Sequence, residues 1–469
     1  MKEKRVLLLY LSPADTSYLL EESNEYDLQR RPKLGLLYLS AVLKQRKGIQ
    51  CDIWDQTVAL FSIDDVAEAV DSGRYLFAGF YSAVSMEGKV IEFIRMLRER
   101  CRTRIPLLVG GPSFPNAADF LKAGCDIVCN GEGEDTICDI ADHIAGSGRL
   151  DEIKGISYMS EGRVVKNEPR PLIEDVDSIP FPDHSRMDFG KYHDYYIFTM
   201  RKPYTTMITS RGCPYNCIFC DSHGIWGRRY RARSVENVLA EIDELVKRYG
   251  VRYIAFQDDV FGVDSGWADE FCRKLKGRKY DLKWMCILHP FSFRKDPRGM
   301  LKKLKGAGCD LISMGLQSAH PEILKRLNRH PDEPEHIKRL ISAARSLDML
   351  SIVGFIFGSP GETRDTIQTS IDFVMKARPN YVKFFNMVML PGSQLAREYG
   401  MGARLCDFSA AEIESLNRSA TRRFFLDPVN LARNIGFVLK HNPAWLAVGC
   451  RHFLNLRDSI GLSGKKGRA

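Results

Sequence analysis

The segment Arg211-Gly-Cys-Pro-Tyr-Asn-Cys-Ile-Phe-Cys220 sets three thiols into one short loop, as Cys213, Cys217 and Cys220 with the spacing C-x3-C-x2-C. Three thiolates this close can hold three irons of a four-iron, four-sulfur cube and leave the fourth iron open to chelate a small molecule. A structural zinc site would normally want a fourth protein ligand. His223, three residues beyond Cys220, could supply it. A disulfide framework fits poorly: the chain is long, its 13 cysteines are an odd number, and no secretory signal opens it.

The cysteine loop closely resembles that of the radical S-adenosylmethionine (SAM) superfamily. The resemblance implies that the open iron takes the amino and carboxylate groups of SAM, and that one electron cleaves SAM to a 5′-deoxyadenosyl radical. Phe219, just before the third cysteine, matches the aromatic that lies near the adenine in that family. Further stretches match in the family's order. Gln257-Asp-Asp259 stands where polar residues approach the SAM ammonium, so Asp258 or Asp259 is the expected acceptor. An Asp there could equally cap the next helix. Gly315-Leu-Gln-Ser318 resembles the family's Gly-x-Glu/Gln-Ser, which implies that Gln317 and Ser318 approach ribose or carboxylate. Gly354-Phe-Ile-Phe-Gly358-Ser-Pro-Gly-Glu-Thr363 resembles GxIxGxPGET, where Gly354 and Gly358 would let a strand lie against the adenine. One departure is His289, which stands roughly where relatives carry an Arg for the SAM carboxylate or the substrate. Arg294 or an Arg of the 228–233 run is the expected replacement.

These loops need a scaffold with its working ends on one side. From residue 197 apolar runs at Met207–Thr209, Tyr253–Phe256, Lys283–Ile287, Leu311–Met314, Ile352–Phe357 and Tyr381–Phe385 alternate with helical patterns, the arrangement of a partial (β/α)6 TIM-type barrel. Ahead of it, runs at Val6–Leu11, Gln50–Trp54, Leu76–Tyr81, Pro106–Val109 and Asp126–Cys129 alternate with helices, an α/β order that predicts a Rossmann-like doubly wound parallel sheet. The expected domains are 1–146 (Rossmann-like, of cobalamin-binding type), 147–196 (linker), 197–400 (radical SAM core) and 401–469 (a small helical region).

With Pro32-Lys-Leu-Gly35, Gly110-Gly-Pro112 and Gly131-Glu-Gly-Glu134, the front domain resembles that of the cobalamin (B12)-binding radical SAM subgroup, which includes relatives of anaerobic Mg-protoporphyrin cyclase and several methylases. Tyr10, Leu11, Ser12, Tyr81, Ser82, Val84, Gly110, Gly111 and Gly131 sit at predicted strand ends and are the candidates for lining a corrin. The Asp-x-His-x-x-Gly loop that carries a lower cobalt ligand in other cobalamin proteins is absent. His143-Ile-Ala-Gly146 has only its second half, so cobalamin is expected without His ligation. The resemblance implies a C-methyltransferase acting on an unactivated carbon of a small molecule or lipid. The alternative is a non-methylating radical enzyme: an oxidative cyclase, dehydratase or epimerase. Implied partners are the [4Fe-4S] cluster, SAM, cobalamin, a small-molecule or lipid substrate and a reducing protein such as flavodoxin or ferredoxin. tRNA methylthiolation is disfavoured, because the front domain has no cysteine triad.

Composition agrees with an ordinary soluble chain: 469 residues, 44% hydrophobic and 27% charged. A net charge of +9 is spread along the chain, so nucleic acid is not an expected partner. No apolar run reaches transmembrane length, and the expected location is the cytoplasm.

Overall fold

Val6-Leu-Leu-Leu9 has no polar alternation, a pattern suited to a strand covered on both faces. In the computed structural model, which describes residues 5–12, 29–112, 116–194, 201–441 and 443, these four side chains are at most 1% exposed. They lie in β1 (Arg5–Tyr10), an interior strand of the first sheet. The other strands are β2 (Cys51–Asp55), β3 (Tyr75–Tyr81), β4 (Leu107–Gly110), β5 (Ile127–Cys129), β6 (Ile156–Ser160) and β7 (Arg163–Lys166). The sheet order is β2-β1-β3-β4-β5-β6-β7, and the first five strands are parallel. The chain winds outward from β1 in both directions, so the topological switch point lies between β1 and β3.

The connection expected at 147–196 is built into this unit instead. β6 pairs antiparallel with β5, and β7 with β6, so a hairpin covers the edge that β5 would expose. The first compact unit runs to Asp194 and takes in Arg211–Cys213 and Asp221–Glu241.

The second unit comprises Tyr195–Ser210, Pro214–Cys220 and residues from Ile242 onward. Its sheet has six parallel strands in chain order: β8 (Tyr204–Met207), β9 (Tyr253–Phe256), β10 (Lys283–Leu288), β11 (Cys309–Gln317), β12 (Leu350–Phe357) and β13 (Tyr381–Asn386). Among the described residues β8 and β13 are not paired to each other, so the barrel is partial. Strand β8 ends where the apolar run Met207–Thr209 was expected to begin. Thr209 and Ser210 leave the ladder because both bond the Asp258 carboxylate. The final helices follow their caps: Ser409 and Glu412 form a capping box at α14 (Ala410–Phe425), and Asp427 accepts from Asn430 N at the start of α15 (Pro428–His441). Cys450 and the basic tail from Gly464 lie outside the described residues.

Candidate functional site

The cysteine loop is held at several points. Gly212 has φ +84°, and a Cβ there would meet Arg229 O at 2.4 Å, so only glycine fits ahead of Cys213. Further on, Ile218 N donates to Leu327 O at 3.2 Å, and Ile218 packs with Ile323, Leu327 and Leu395. Half-buried Phe219 rests on that cluster. Cys213, Cys217 and Cys220 are all half-buried. Among the described residues no three His, Cys, Asp or Glu side chains gather as ligands of one ion. His223 Nε2 is 3.2 Å from Cys213 O, a backbone contact that leaves it poorly suited to complete a zinc site. A cube makes a different demand, since its three thiolates reach three separate irons.

Arg211, two residues before Cys213, is almost fully buried and clamped by carboxylates of the Gly131-Glu-Gly-Glu134 turn. Its Nη1 donates to Glu132 Oε1 at 2.6 Å and its Nη2 to Glu134 Oε1. Arg231 Nη1 reaches Glu132 Oε2 at 2.9 Å, and Ile173 N donates to the same oxygen at 2.7 Å. The Arg211 guanidinium also lies over the Trp226 ring, 5.0 Å from its centroid. In the run 228–233, Arg231 and Arg233 therefore serve structural carboxylates: Arg233 Nη1 meets buried Glu241 at 2.5 Å. Sequence reading singled out the turn for its glycines and missed its glutamates.

Beside Cys217 stands a residue that motif reading also missed. Arg329 Nη1 is 3.7 Å from Cys217 Sγ. Its fork is fixed by Glu333 Oε2, at 2.7 Å from Nε and 2.6 Å from Nη2, and by Gly315 O at 2.8 Å. Burial pushes the Cys217 thiol above its ordinary value, and the Arg329 charge opposes that shift. His289 stacks on Tyr215 of the loop, with ring centroids 3.4 Å apart and planes 7° apart. Burial, helped by the Arg329 charge, lowers the imidazole to about 2, so it is neutral, and its Nδ1 accepts from Phe291 N at 3.2 Å. Arg294 stacks over Phe291. Arg231 and Arg233 of the 228–233 run are held by carboxylates and Arg294 lies over Phe291, whereas Arg329 reaches a loop thiol.

Asp258 does not cap a helix. Its Oδ1 accepts from Thr209 N at 2.8 Å, Thr209 Oγ1 at 2.9 Å and Ser210 Oγ at 2.6 Å, tying the end of β9 to the turn after β8. Burial raises its carboxyl to about 6. Its Oδ2 is buried with no partner among the described residues, so one acceptor remains for a donor. Asp259 is exposed.

Gln317 ends β11 at φ +70°, where the register shifts against β12, and its side chain folds back over Gly315. Ser318 follows Gln317 in the chain. Its side chain is fully buried, and its Oγ accepts from His320 N at 3.1 Å and lies 3.4 Å from Ser370 Oγ. Gly354 has only ordinary contacts around a would-be Cβ. Gly358 has internal reasons to be glycine: φ is +91°, and a Cβ would meet Ile413 of α14 at 2.7 Å. Its N–H donates to Glu362 Oε2 at 2.6 Å. Burial raises the Glu362 carboxyl to about 7.

In the first unit the corrin candidates fall at the C-terminal ends of β1, β3, β4 and β5. Tyr10 and Tyr81 flank the switch point, with ring centroids 5.5 Å apart. Leu11 and Ser82 are fully buried, and Val84 is half-buried. Ser12 N donates to Gln56 Oε1 at 2.9 Å, and Lys89 Nζ to Ser12 O at 2.6 Å. Ser82 N donates to Gly110 O at 2.8 Å, and a Cβ on Gly111 would meet Ser82 O at 2.4 Å. Exposed Gly131 has φ +83° and open space around it. His143 is in the last turn of α5 (Glu134–Ile144), 3.1 Å from Gly148 O.

Residues 207–374 match the radical SAM superfamily, and residues 29–141 match the B12 binding domain. The chain is 27% identical over 434 residues to an uncharacterized methyltransferase of Pyrococcus horikoshii, covering 87% of this chain and 92% of the relative. It is 27% identical over 445 residues to the cytidylyl-2-hydroxyethylphosphonate methyltransferase of Streptomyces wedmorensis, covering 83% and 81%. In fold it resembles the radical SAM methyltransferase TsrM of Kitasatospora setae, solved with cobalamin and a [4Fe-4S] cluster: TM-score 0.67, 20% identity, 84% of this chain and 74% of that one. Among the described residues no helix is long and apolar enough to cross a membrane. Two domain matches in this order, on a doubly wound sheet followed by a partial barrel with a three-cysteine loop, identify the chain as a radical SAM enzyme with a B12-binding domain.

Proposed function

We propose that this enzyme is a cobalamin-dependent radical SAM methyltransferase that alkylates an unactivated carbon of a small molecule or lipid. The observation that carries the reading is the B12-binding match at 29–141 ahead of the radical SAM match at 207–374, in a chain that aligns with two methyltransferases over more than four-fifths of its length. Cys213, Cys217 and Cys220 would hold the cluster, and the strand ends around Tyr10, Tyr81 and Gly111 would take cobalamin. When bound, the cluster supplies the electron that cleaves SAM, and cobalamin carries the methyl group.

The chain's own residues supply position and polarity. Glu132 and Glu134 fix Arg211 and with it the entry to the cysteine loop. Arg329 gives the Cys217 sulfur a cationic neighbour. The unpartnered Asp258 Oδ2 and the side chain of Gln317 are the groups offered to SAM. The electron donor would be a small redox protein such as flavodoxin or ferredoxin.

The test is a hydroxocobalamin titration of anaerobically purified protein, followed by turnover with methyl-labelled SAM in extract of the source cells. The expected result is one cobalamin per chain, without imidazole nitrogen coupling in the cobalt(II) EPR signal, and a product that gains the labelled methyl. 5′-Deoxyadenosine formed without methyl transfer would favour the non-methylating cyclase, dehydratase or epimerase reading.

A further inference from the structure

At the starting ends of strands β12 and β13, two arginines come together without a carboxylate. Arg345 is in the last turn of α11 (Glu333–Ser346), shortly before β12 begins, and half-buried Arg433 is on α15 (Pro428–His441). Arg345 Nη2 donates to Ala377 O and Arg378 O, both at 2.8 Å, and Arg433 Nη2 donates to Pro379 O. These carbonyls close α12 (Arg364–Ala377), where the helix dipole favours a cation. Capping occupies one nitrogen of each guanidinium. Among the described residues neither Arg345 nor Arg433 is paired with a carboxylate, and Arg433 Nε is buried with no acceptor. Burial, then the Arg378 charge, lowers Arg345 below its ordinary value. Burial, then Arg345 and Arg378, lowers Arg433 to about 10.

Both arginines line one cleft of about 230 Å³, together with Asp348, Asn380, Gly436 and Lys440. The carboxylates nearby are already taken. Asp348 Oδ2 meets Lys440 at 2.8 Å and His441 at 2.9 Å, and Asp427 meets Arg378 at 3.1 Å. Four cations, Arg345, Arg378, Arg433 and Lys440, thus stand against two carboxylates, and Lys305 on Asp348 O at 2.6 Å adds to the excess. Gly436 is a second, independent sign. It lies inside a helix, where glycine is less stable than alanine. Nothing lies within 4 Å of a would-be Cβ there, so no protein contact demands glycine. A ligand entering the cleft would.

We propose that this cleft is an anion site that takes a phosphate dianion. Guanidinium forks match the oxygens of a phosphate, which can accept from both arginines at once. A dianion cancels the excess of two charges, whereas a carboxylate cancels half of it. The site is at the opposite end of the barrel strands from the cysteine loop. Strand β12 spans eight residues, so the cleft is on the order of 20 Å from the turn at Gly358. Its occupant would join α11, α12 and α15 and take no part in SAM cleavage.

The experiment is thermal melting of the full chain at about pH 8, where phosphate is a dianion, at fixed ionic strength. Sodium phosphate and sodium acetate are titrated separately, and affinity is measured by calorimetry. The melting temperature should rise saturably with phosphate, as for any ligand bound by the folded state alone, and stay level with acetate. Arg345→Gln/Arg433→Gln should bind phosphate at least about tenfold more weakly. Gly436→Leu keeps every cation, places a side chain in the cleft and should lose phosphate equally, so it decides the matter if the arginine variant does not fold. Arg418→Gln, an exposed change on α14, should bind as wild type does. Phosphoserine tested alongside separates free phosphate from a phosphorylated molecule, since the tighter binder names the source. No saturable effect of phosphate, an equal effect of acetate, or wild-type affinity in the cleft variants overturns the proposal.

Discussion

Replacing Glu132 with Gln should damage both stability and cluster assembly, although Glu132 touches no cysteine. Its carboxylate accepts from Arg211 at 2.6 Å, Arg231 at 2.9 Å and Ile173 N at 2.7 Å, and the Glu132, Arg211 and Arg231 side chains are at most 5% exposed. Glutamine keeps the shape and removes the charge. Arg211 would keep Glu134, and Arg231 would keep no carboxylate partner among the described residues. Breaking a buried ion pair from one side costs about 3–5 kcal/mol, a large part of the 5–15 kcal/mol that typically holds a domain folded. Because Arg211 stands two residues before Cys213, loosening it also frees the start of the cysteine loop. The assay is a urea titration of apoprotein followed by far-UV circular dichroism, with iron and sulfide content measured after anaerobic reconstitution. The first-unit transition should move to lower urea and iron content should fall below wild type. Glu132→Gln/Arg231→Met, which removes one orphaned cation as well, should recover part of the loss. Asp151→Asn, which breaks the exposed Arg149–Asp151 pair, should change neither readout. A Glu132→Gln protein within about 1 kcal/mol of wild type and with full iron would refute the reasoning.

Three other outcomes are expected. Arg329→Met/Glu333→Gln removes a cationic donor 3.7 Å from Cys217 Sγ, and hydrogen bonds to cluster sulfurs help set the potential, so an EPR-monitored titration should show a lower midpoint potential; an unchanged potential would separate Arg329 from the cluster. Glu362 has its folded pKa raised from 4.5 to about 7, so its contribution is fully present below pH 4.5 and is lost as pH rises through about 7. At roughly 1.4 kcal/mol per pKa unit the loss is about 3–4 kcal/mol, and Glu362→Gln should flatten the stability profile between pH 5 and about 8; an identical profile in both proteins would count against it. Gly358→Ala meets Ile413 at 2.7 Å and must adopt φ +91°, so it should cost more than about 1 kcal/mol whether or not SAM is present; a variant that loses SAM affinity at wild-type stability would instead make Gly358 a ligand-contact glycine.

Much of the fold was legible because parallel strands covered on both faces read as unbroken apolar runs, as at Val6–Leu9 and Tyr253–Phe256. Local signals also carried: Ser409 with Glu412 and Asp427 before Pro428 each start a helix where they stand. The cysteine loop was legible from spacing within ten residues. The illegible features depend on pairs far apart in the chain. Glu132 meets Arg211 and Arg231 across 79 and 99 positions, and Arg329 meets Cys217 across 112. A charged residue looks solvated in sequence, and only its partner makes it a core residue. Ser318 is another such case, since a motif position does not show that Ser370 and His320 N stand against its hydroxyl. The edge of β8 moved for a similar reason, because Asp258 takes Thr209 and Ser210 out of the ladder from 48 and 49 positions away.

Reductive cleavage of SAM by a cluster on the three loop cysteines is the central activity to measure. Anaerobically reconstituted wild type and Cys213→Ala/Cys217→Ala/Cys220→Ala should be incubated with SAM and dithionite, and 5′-deoxyadenosine measured by chromatography and mass. Wild type is expected to bind about four irons per chain and to form 5′-deoxyadenosine, while the triple variant does neither. A triple variant that still forms 5′-deoxyadenosine, or a wild type that forms none with its iron fully loaded, would contradict it.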